Sequence, residues 1–205
     1  MCPTGDFTGM VMTTELANLN DVLANSWQLL QQGVSSRRHG FHHAAVATIG
    51  TTGLPRIRIV ILRAVDSETN TLRFHTDVRS QKCKDLAVNP NISAVFYDEP
   101  SRTQVRVDGF ATLHGQDALA DASWHAAQPM SRLTYGTMPA PGLKIDTPDA
   151  FSIPPPQSDV EWAREYFTVV QVHINSLQWL YLRQGGQRCA VFDLASGAMK
   201  WTVPS

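Results

Sequence analysis

Three arginines, Arg56, Arg58 and Arg63, punctuate an otherwise apolar run of β-forming residues. A guanidinium on a strand needs an anion or water as its partner. Arg58 and Arg63 differ in parity, so a straight strand sends them to opposite faces unless its end twists or bulges. The pattern predicts either an anion-binding strand or edge charges paired with nearby Asp or Glu.

A strand that turns into a helix follows, from Phe74 to Lys82. Free N–H groups at a helix start carry partial positive charge, Ser80 can donate a hydrogen bond, and Lys82 adds a full charge in the first turn. An ordinary helix also uses Ser as its N-cap, so the motif alone fits a structural role as well. Together with the arginines, which lie within about 25 residues, it predicts a pocket suited to a phosphate.

Two further places carry groups that suit a flat, charged ligand. Gln104, on a predicted strand, offers an acceptor and two donors for the edge of a heterocycle, although it also fits an exposed strand glutamine. Trp179 and Arg188 flank Arg183–Gln187, whose Gly-Gly pair predicts a hairpin turn. The indole ring and the guanidinium either face a ligand or belong to core and rim.

Other chemistries have less support in the sequence. It contains no G-x-G-x-x-G after a strand, no Walker loop and no G-x-S-x-G elbow. His39, His42 and His43 have no carboxylate or thiol at ligand spacing, so we predict no metal site there.

The composition narrows the class of protein. The 205 residues include 17 Lys+Arg against 18 Asp+Glu and are 43% hydrophobic. Balanced charge argues against nucleic-acid binding, and this apolar content argues against disorder. No apolar run approaches the roughly 20 residues of a membrane span, no basic residue precedes Arg37, and three widely spaced cysteines fit a reducing compartment. We therefore expect a soluble, cytoplasmic protein that binds neither membranes nor nucleic acid.

Short strands must position most of these residues. Strands are predicted over 44–49, 56–63, 71–76, 92–97, 103–114, 166–174, 178–183, 188–193 and 199–203. Many short strands with few long helical patterns favour an antiparallel barrel in a mainly β, α+β protein. The length predicts one domain over 1–205.

Three helices accompany the strands. Apolar residues in steps of three or four predict a helix over 13–32, with Thr13 or Thr14 at its start and Gly33 at its end, after a tail over 1–12. Helices over 80–88 and 116–127 each end before a proline.

A proline-rich segment interrupts this pattern. Residues 139–156 hold six of the twelve prolines, which predicts a long irregular loop. The loop is either a lid over a site or a flexible surface insertion.

The ordered motifs resemble those of the pyridoxamine 5'-phosphate oxidase-like FMN-binding proteins, which have the split β-barrel fold. In that family an R-x-V-x-L-K/R strand, an F-Y/H-T strand end, an S-x-K helix start and a Q-V-x-V-x-G strand follow one another. Here they are Arg58–Arg63, Phe74–Thr76, Ser80–Lys82 and Gln104–Gly109. The resemblance covers roughly residues 40–205.

This resemblance implies that FMN is the cofactor and that a homodimer holds it at the subunit interface. Arg58, Ser80 and Lys82 would hold the phosphate, and Gln104, Trp179 and Arg188 would reach the flavin from the partner subunit. The implied cofactor residues are Arg58, Ile59, Val60, Ile61, Leu62, Arg63, His75, Thr76, Ser80, Gln81, Lys82, Gln104, Trp179 and Arg188.

The resemblance implies less about the substrate. Family members that oxidise pyridoxamine phosphate hold its phosphate with Tyr, Arg and Ser around the helix after the Q-V strand, and with a late R-L-H-D-R run. Here these segments are Trp124–Arg132 and Arg188–Asp193, and the substrate His is missing. The implied function is an FMN-dependent oxidoreductase for another substrate, with catalytic residues unassigned. The alternative is a non-catalytic carrier or sensor of flavin, or a protein that binds haem or deazaflavin.

Overall fold

The computed structural model describes residues 16–183 and 185–204. The predicted tail, the predicted helix caps Thr13 and Thr14, and Gln184 of the predicted hairpin lie outside these residues. Within the described chain, none of the helices combines the length and apolarity needed to cross a membrane.

Eight strands form the framework of the fold. They are β1 (His43–Ile49), β2 (Pro55–Asp66), β3 (Thr71–Asp77), β4 (Asn91–Asp98), β5 (Thr103–His114), β6 (Phe167–Tyr181), β7 (Arg188–Asp193) and β8 (Met199–Thr202). The strand order is β3-β2-β1-β4-β5-β6-β7-β8, and β3 also pairs with β6. β1 to β6 thus close a six-stranded antiparallel barrel, from which β7 and β8 extend. The predicted antiparallel barrel is confirmed.

One long strand replaces the two strands predicted over 166–174 and 178–183, so that prediction is wrong. Between Ile174 and Ser176, β6 shifts its register against β5. The exposed, polar Asn175 at this point looks like a strand end in the sequence but is a bulge within the strand. The N-terminal half of β6 pairs with β3 and its C-terminal half pairs with β7. β7 and β8 therefore extend from the C-terminal half of β6.

The hairpin predicted around Arg183–Gln187 joins β6 to β7. Gly185 and Gly186 have φ angles of 85° and 124°, which side chains with a Cβ rarely adopt. The Gly-Gly pair therefore makes the turn, as predicted.

The first helix, α1 (Leu19–Ser35), differs from its prediction at both ends. Asn18 is its N-cap and accepts a hydrogen bond from the Asn20 N–H at 2.8 Å. Gly33 does not end the helix. A Cβ on Gly33 would come within 2.5 Å of the Phe41 carbonyl oxygen, so glycine is required there for close packing.

Three shorter helices follow, α2 (Gln81–Val88), α3 (Ala118–Ala126) and α4 (Pro129–Arg132). The predicted helices 80–88 and 116–127 are confirmed to within two residues at each end. Pro129 follows α3 as predicted, and it is also the first residue of α4, a position where its missing N–H costs nothing. Single 3₁₀ turns lie at Gly40–His42, Leu133–Gly136 and Glu161–Tyr166.

Residues 137–160 form the predicted irregular loop. Its one regular contact among the described residues is a bridge between Met138 and Ser152. Whether this loop acts as a lid, and whether one domain spans the whole chain, stay predictions.

Two apolar clusters stabilise the fold. The larger fills the barrel and packs against α1; Phe74, Phe96 and Trp179 are among its fully buried side chains. The smaller lies between α3, the 3₁₀ turn at Glu161–Tyr166 and β6, and it contains Trp124 and Phe167. This second cluster supports one side of the cleft described next.

Candidate functional site

β2 brings Arg58 and Arg63 into the same cleft despite their opposite parity. The pairing of β2 with β3 shifts register between Leu62 and Ala64. A bulge at this point turns Arg63 relative to the rest of the strand. Both arginines line a cleft of about 330 Å³. The predicted condition, that the strand must twist or bulge, is therefore met.

The cleft combines residues from β2, β3, α2 and the segment after α3. Its lining residues are Arg58, Ile59, Val60, Ile61, Arg63, His75, Lys82, Ser131, Thr134 and Tyr135. The first seven are predicted site residues, and the structure brings them together. Ser131, Thr134 and Tyr135 were missed, because α4 and the 3₁₀ turn that carry them are too short to leave a periodic pattern in the sequence.

A buried carboxylate, Asp85 on α2, holds the arginines of β2. Its oxygens lie 3.1 Å from Arg56 Nη1 and 3.6 Å from Arg58 Nη2, and it is fully buried. Burial lowers the pKa of Arg58, and so does the nearby Arg56, while Asp85 raises it. The interpretation as paired charges is therefore correct for Arg56 and partly correct for Arg58, which also lines the cleft. Gln81 is exposed and donates to Asp85 at 3.1 Å.

The end of β3 and the first turn of α2 bring two hydroxyls and an ammonium group together near Arg58. Ser80 is the N-cap residue, but its side chain makes no capping hydrogen bond, so the ordinary capping role is wrong for its hydroxyl. Ser80 Oγ lies 3.4 Å from Thr76 Oγ1, and Lys82 Nζ donates to Thr76 Oγ1 at 2.8 Å. Burial is the largest cause that lowers the pKa of Lys82, and Arg58 lowers it further. An anion at this end would be stabilised by both cations.

The other end of the cleft is polar but carries a single charge. Burial, with help from Arg63 and Arg73, lowers the pKa of His75 to about 4, so its imidazole is neutral at pH 7. Burial raises the pKa of Tyr135 to about 12, so its phenol is neutral as well. Among the described residues, Arg63 has no ion-pair or hydrogen-bond partner. Its charge is free to act on a ligand.

Seven predicted residues do not line the cleft. Thr76, Ser80 and Gln81 lie beside its cationic end, whereas Leu62, Gln104, Trp179 and Arg188 lie away from it. Leu62 and Trp179 are buried in the barrel core, and the indole N–H of Trp179 has no hydrogen-bond partner among the described residues. Gln104 lies on β5, and Arg188 on β7 donates to the Leu16 carbonyl at 3.2 Å. In this protomer, Trp179 and Arg188 fit the core-and-rim interpretation. A role in a second subunit's site stays a prediction.

Part of the chain is similar to a known protein family. Residues 24–115 match the model of the family "Pyridoxamine 5'-phosphate oxidase, FMN-binding domain". A pyridoxine/pyridoxamine 5'-phosphate oxidase from Bradyrhizobium diazoefficiens is 33% identical over 119 residues, 58% of this chain and 50% of that protein. One from Psychrobacter cryohalolentis is 27% identical over 151 residues, 66% of this chain and 67% of that protein. The chain thus spans about half the length of the first relative and two thirds of the second.

Solved structures confirm the fold. A pyridoxamine 5'-phosphate oxidase-related, FMN-binding protein from Nostoc punctiforme has a TM-score of 0.67 and 24% identity, over 93% of this chain and 98% of that one. PhzG from Burkholderia lata, solved with tetrahydrophenazine-1-carboxylic acid, has a TM-score of 0.66 and 15% identity, over 92% and 93%. At these identities the likeness concerns the fold alone.

Proposed function

Because residues 24–115 resemble the FMN-binding domain of pyridoxamine 5'-phosphate oxidase, we propose that this chain binds FMN in the cleft and acts as an FMN-dependent oxidoreductase. The observation that carries the proposal is the convergence of Arg58 and Lys82 on one end of one cleft.

The charges at this end suit the phosphate of FMN. Asp85 pairs with both Arg56 and Arg58, so one negative charge faces the three positive charges of Arg56, Arg58 and Lys82 and leaves a net charge of about two for a ligand. Two positive charges match the −1.5 to −2 that a phosphate monoester carries near pH 7, roughly as in phosphoserine. The Ser80 hydroxyl, which does not cap α2, lies close to this end, where it contacts Thr76 Oγ1 and donates to Cys83 Sγ at 3.7 Å.

The opposite end suits an uncharged ring system. Neutral His75 and neutral Tyr135 supply polar edges there, and Ile59 and Ile61 add apolar surface to the cleft. FMN, when bound, supplies hydride-transfer chemistry, and the protein contributes position and electrostatics. Arg63 would stabilise negative charge on the ring from a fixed position. None of these residues is assigned as an obligatory base.

Two side chains, one on α3 and one on α4, support a substrate other than pyridoxamine phosphate. Trp124 is fully buried, and its indole N–H donates to Glu161 at 3.0 Å. Arg132 donates to the His125 carbonyl at 2.8 Å and pairs with Glu161 at 3.2 Å. Neither side chain lines the cleft, so neither is placed to hold a substrate phosphate.

A second copy of the chain is the proposed partner. Ile57 and Ile59 on the outer face of β2 are 72% and 63% exposed, and Ile59 also lines the cleft. Exposed apolar side chains beside a site are typical of a surface that another molecule covers. In the proposed homodimer, Gln104 and Arg188 of one copy reach the ring in the other. Trp179 is fully buried in the core of its own copy, which does not support the same role for its ring.

Affinity measurements with two flavins test the phosphate assignment. We expect Arg58→Ala and Lys82→Ala to weaken FMN binding and to leave the affinity for riboflavin, which has no phosphate, unchanged. The control is Lys84→Ala, because Lys84 is an exposed cation on the same helix that does not line the cleft. Unchanged FMN affinity in both variants would remove the assignment.

Rapid mixing separates an enzyme from a carrier. The FMN-loaded protein is mixed anaerobically with NADH or NADPH and then with oxygen, while flavin absorbance is recorded. In an oxidoreductase, the flavin absorbance falls when the donor reduces it and returns within seconds when oxygen is added. A flavin that no donor reduces faster than free FMN would favour the carrier.

A further inference from the structure

The wall of the cleft that carries Ser131, Thr134 and Tyr135 belongs to no strand. It consists of α4 and the 3₁₀ turn Leu133–Gly136, and it is followed directly by the proline-rich loop. Its first end is fixed by Arg132, which donates to the carbonyls of His125 and Ala127. A short irregular wall keeps its place only where other contacts hold both ends.

Arg79 fixes the second end of this wall. Its guanidinium pairs with Asp77 through Nη2–Oδ2 at 2.7 Å and Nε–Oδ1 at 3.0 Å. The same Nη2 donates to the carbonyls of Tyr135 at 3.0 Å and Thr137 at 3.2 Å. The guanidinium carbon also lies 3.8 Å from the centre of the Tyr166 ring. One planar group therefore joins the end of β3 to the wall.

Arg79 is next in the chain to the residues that form the cationic end of the cleft. It directly precedes Ser80, the N-cap of α2, and Lys82 follows within the first turn. The residue that is held to the wall is thus covalently next to the cationic end of the site. A lysine could keep the ion pair with Asp77, but it could not also stack on a ring and bond two carbonyls in one plane.

We propose that Arg79 is a positioning residue: through the carbonyls of Tyr135 and Thr137 it sets the distance between the wall and the start of α2, and so the width of the cleft. Arg79 does not line the cleft itself, so it acts through the wall. The inference rests on the proposed function only in that flavins are the test ligands.

The first test compares Arg79→Met with Arg164→Met. Arg164 is a matched control, because it pairs with Asp121 at 2.6 Å and lies 5.7 Å from the Phe167 ring without lining the cleft. We expect Arg79→Met to displace the wall and so to lower the affinities for FMN and for riboflavin by the same factor, roughly tenfold. Loss of FMN affinity alone, or losses no larger than in the control, would overturn the proposal.

A coupling measurement excludes a merely structural role. Tyr135→Leu is made in the wild-type and Arg79→Met backgrounds, and FMN affinity is measured in all four proteins. If Arg79 acts through the wall, Tyr135→Leu weakens binding clearly in the wild type and little in Arg79→Met. Additive losses would show that Arg79 acts elsewhere. Should Arg79→Met fail to fold, Arg79→Lys takes its place in the cycle with the same expectation.

Hydrogen exchange tests the inference without any ligand. In the ligand-free protein, amides of 131–138 should exchange faster in Arg79→Met than in the wild type, while those of 83–88 keep their rates. Unchanged rates over 131–138 would overturn the proposal. This outcome is independent of the FMN assignment, which stands or falls with Arg58→Ala and Lys82→Ala.

Discussion

Asp85 provides the sharpest prediction about the stability of the site. It is fully buried and accepts hydrogen bonds from Thr48 at 3.2 Å and Gln81 at 3.1 Å, beside its contacts with Arg56 and Arg58. Asp85→Asn keeps the shape and one acceptor oxygen. It removes the negative charge between two guanidiniums and points an amide N–H₂ group at existing donors.

The loss can be sized from the exposure of the two partners. Breaking a buried ion pair costs about 3–5 kcal/mol. The side chains of Arg56 and Arg58 are 36% and 22% exposed, so water compensates part of the loss. We therefore expect Asp85→Asn to lower the free energy of unfolding by about 2–3 kcal/mol, or the melting temperature by roughly 5–10 °C.

Urea denaturation of the FMN-free protein measures this loss. Asp121→Asn is the control, because Asp121 also pairs with an arginine but is 61% exposed. That variant should lose less than about 1 kcal/mol. If Asp85→Asn is no less stable than Asp121→Asn, Asp85 does not hold the arginines together.

Three further predictions concern the barrel, the pH dependence and the proposed dimer. Gly109→Ala should lower the free energy of unfolding by more than about 2 kcal/mol in urea denaturation, because a Cβ would overlap a backbone carbonyl of β6. Gly115→Ala, where the nearest atom is 4.0 Å from the added Cβ, should be near neutral. Equal losses in the two variants would contradict the packing. The pKa of folded His75 is lowered from 6.5 to about 4, chiefly by burial, so the unfolded chain binds the proton first and stability is lost as pH falls through this window, by roughly 3 kcal/mol. His75→Gln should flatten that part of the stability curve, and an unchanged curve would show that another group is responsible. Ile59→Lys should yield a monomer by light scattering. Val88→Lys changes an apolar residue of similar exposure on α2 and should leave the dimer intact. A dimeric Ile59→Lys would place the interface elsewhere.

The local pattern of polar and apolar residues was sufficient to predict most strands of the barrel. Alternating residues predict strands such as β4 and β5 closely, and Pro90 marks the end of α2. The pattern failed where a tertiary contact decides the outcome. Asn175 looks like a strand end but is a bulge, and Gly33 looks like a helix end but is a close contact with Phe41.

The candidate site was predictable where one stretch of chain supplies it. Arg58 and Lys82, which both line the cleft, lie within 25 residues of each other, and their types predict an anion. The wall around Tyr135 could not be predicted, because its position depends on the guanidinium of Arg79, which lies 56 residues earlier in the chain. The pairing of the arginines with Asp85 is equally invisible to local spacing.

The relative affinity for two flavins tests the central claim most directly. FMN and riboflavin differ only in the phosphate, which the account assigns to Arg58 and Lys82. Two charge-assisted contacts of at least about 1.5 kcal/mol each predict that the wild-type protein binds FMN at least roughly 100-fold more tightly than riboflavin. Equal affinity for the two, or no binding of either, would contradict it.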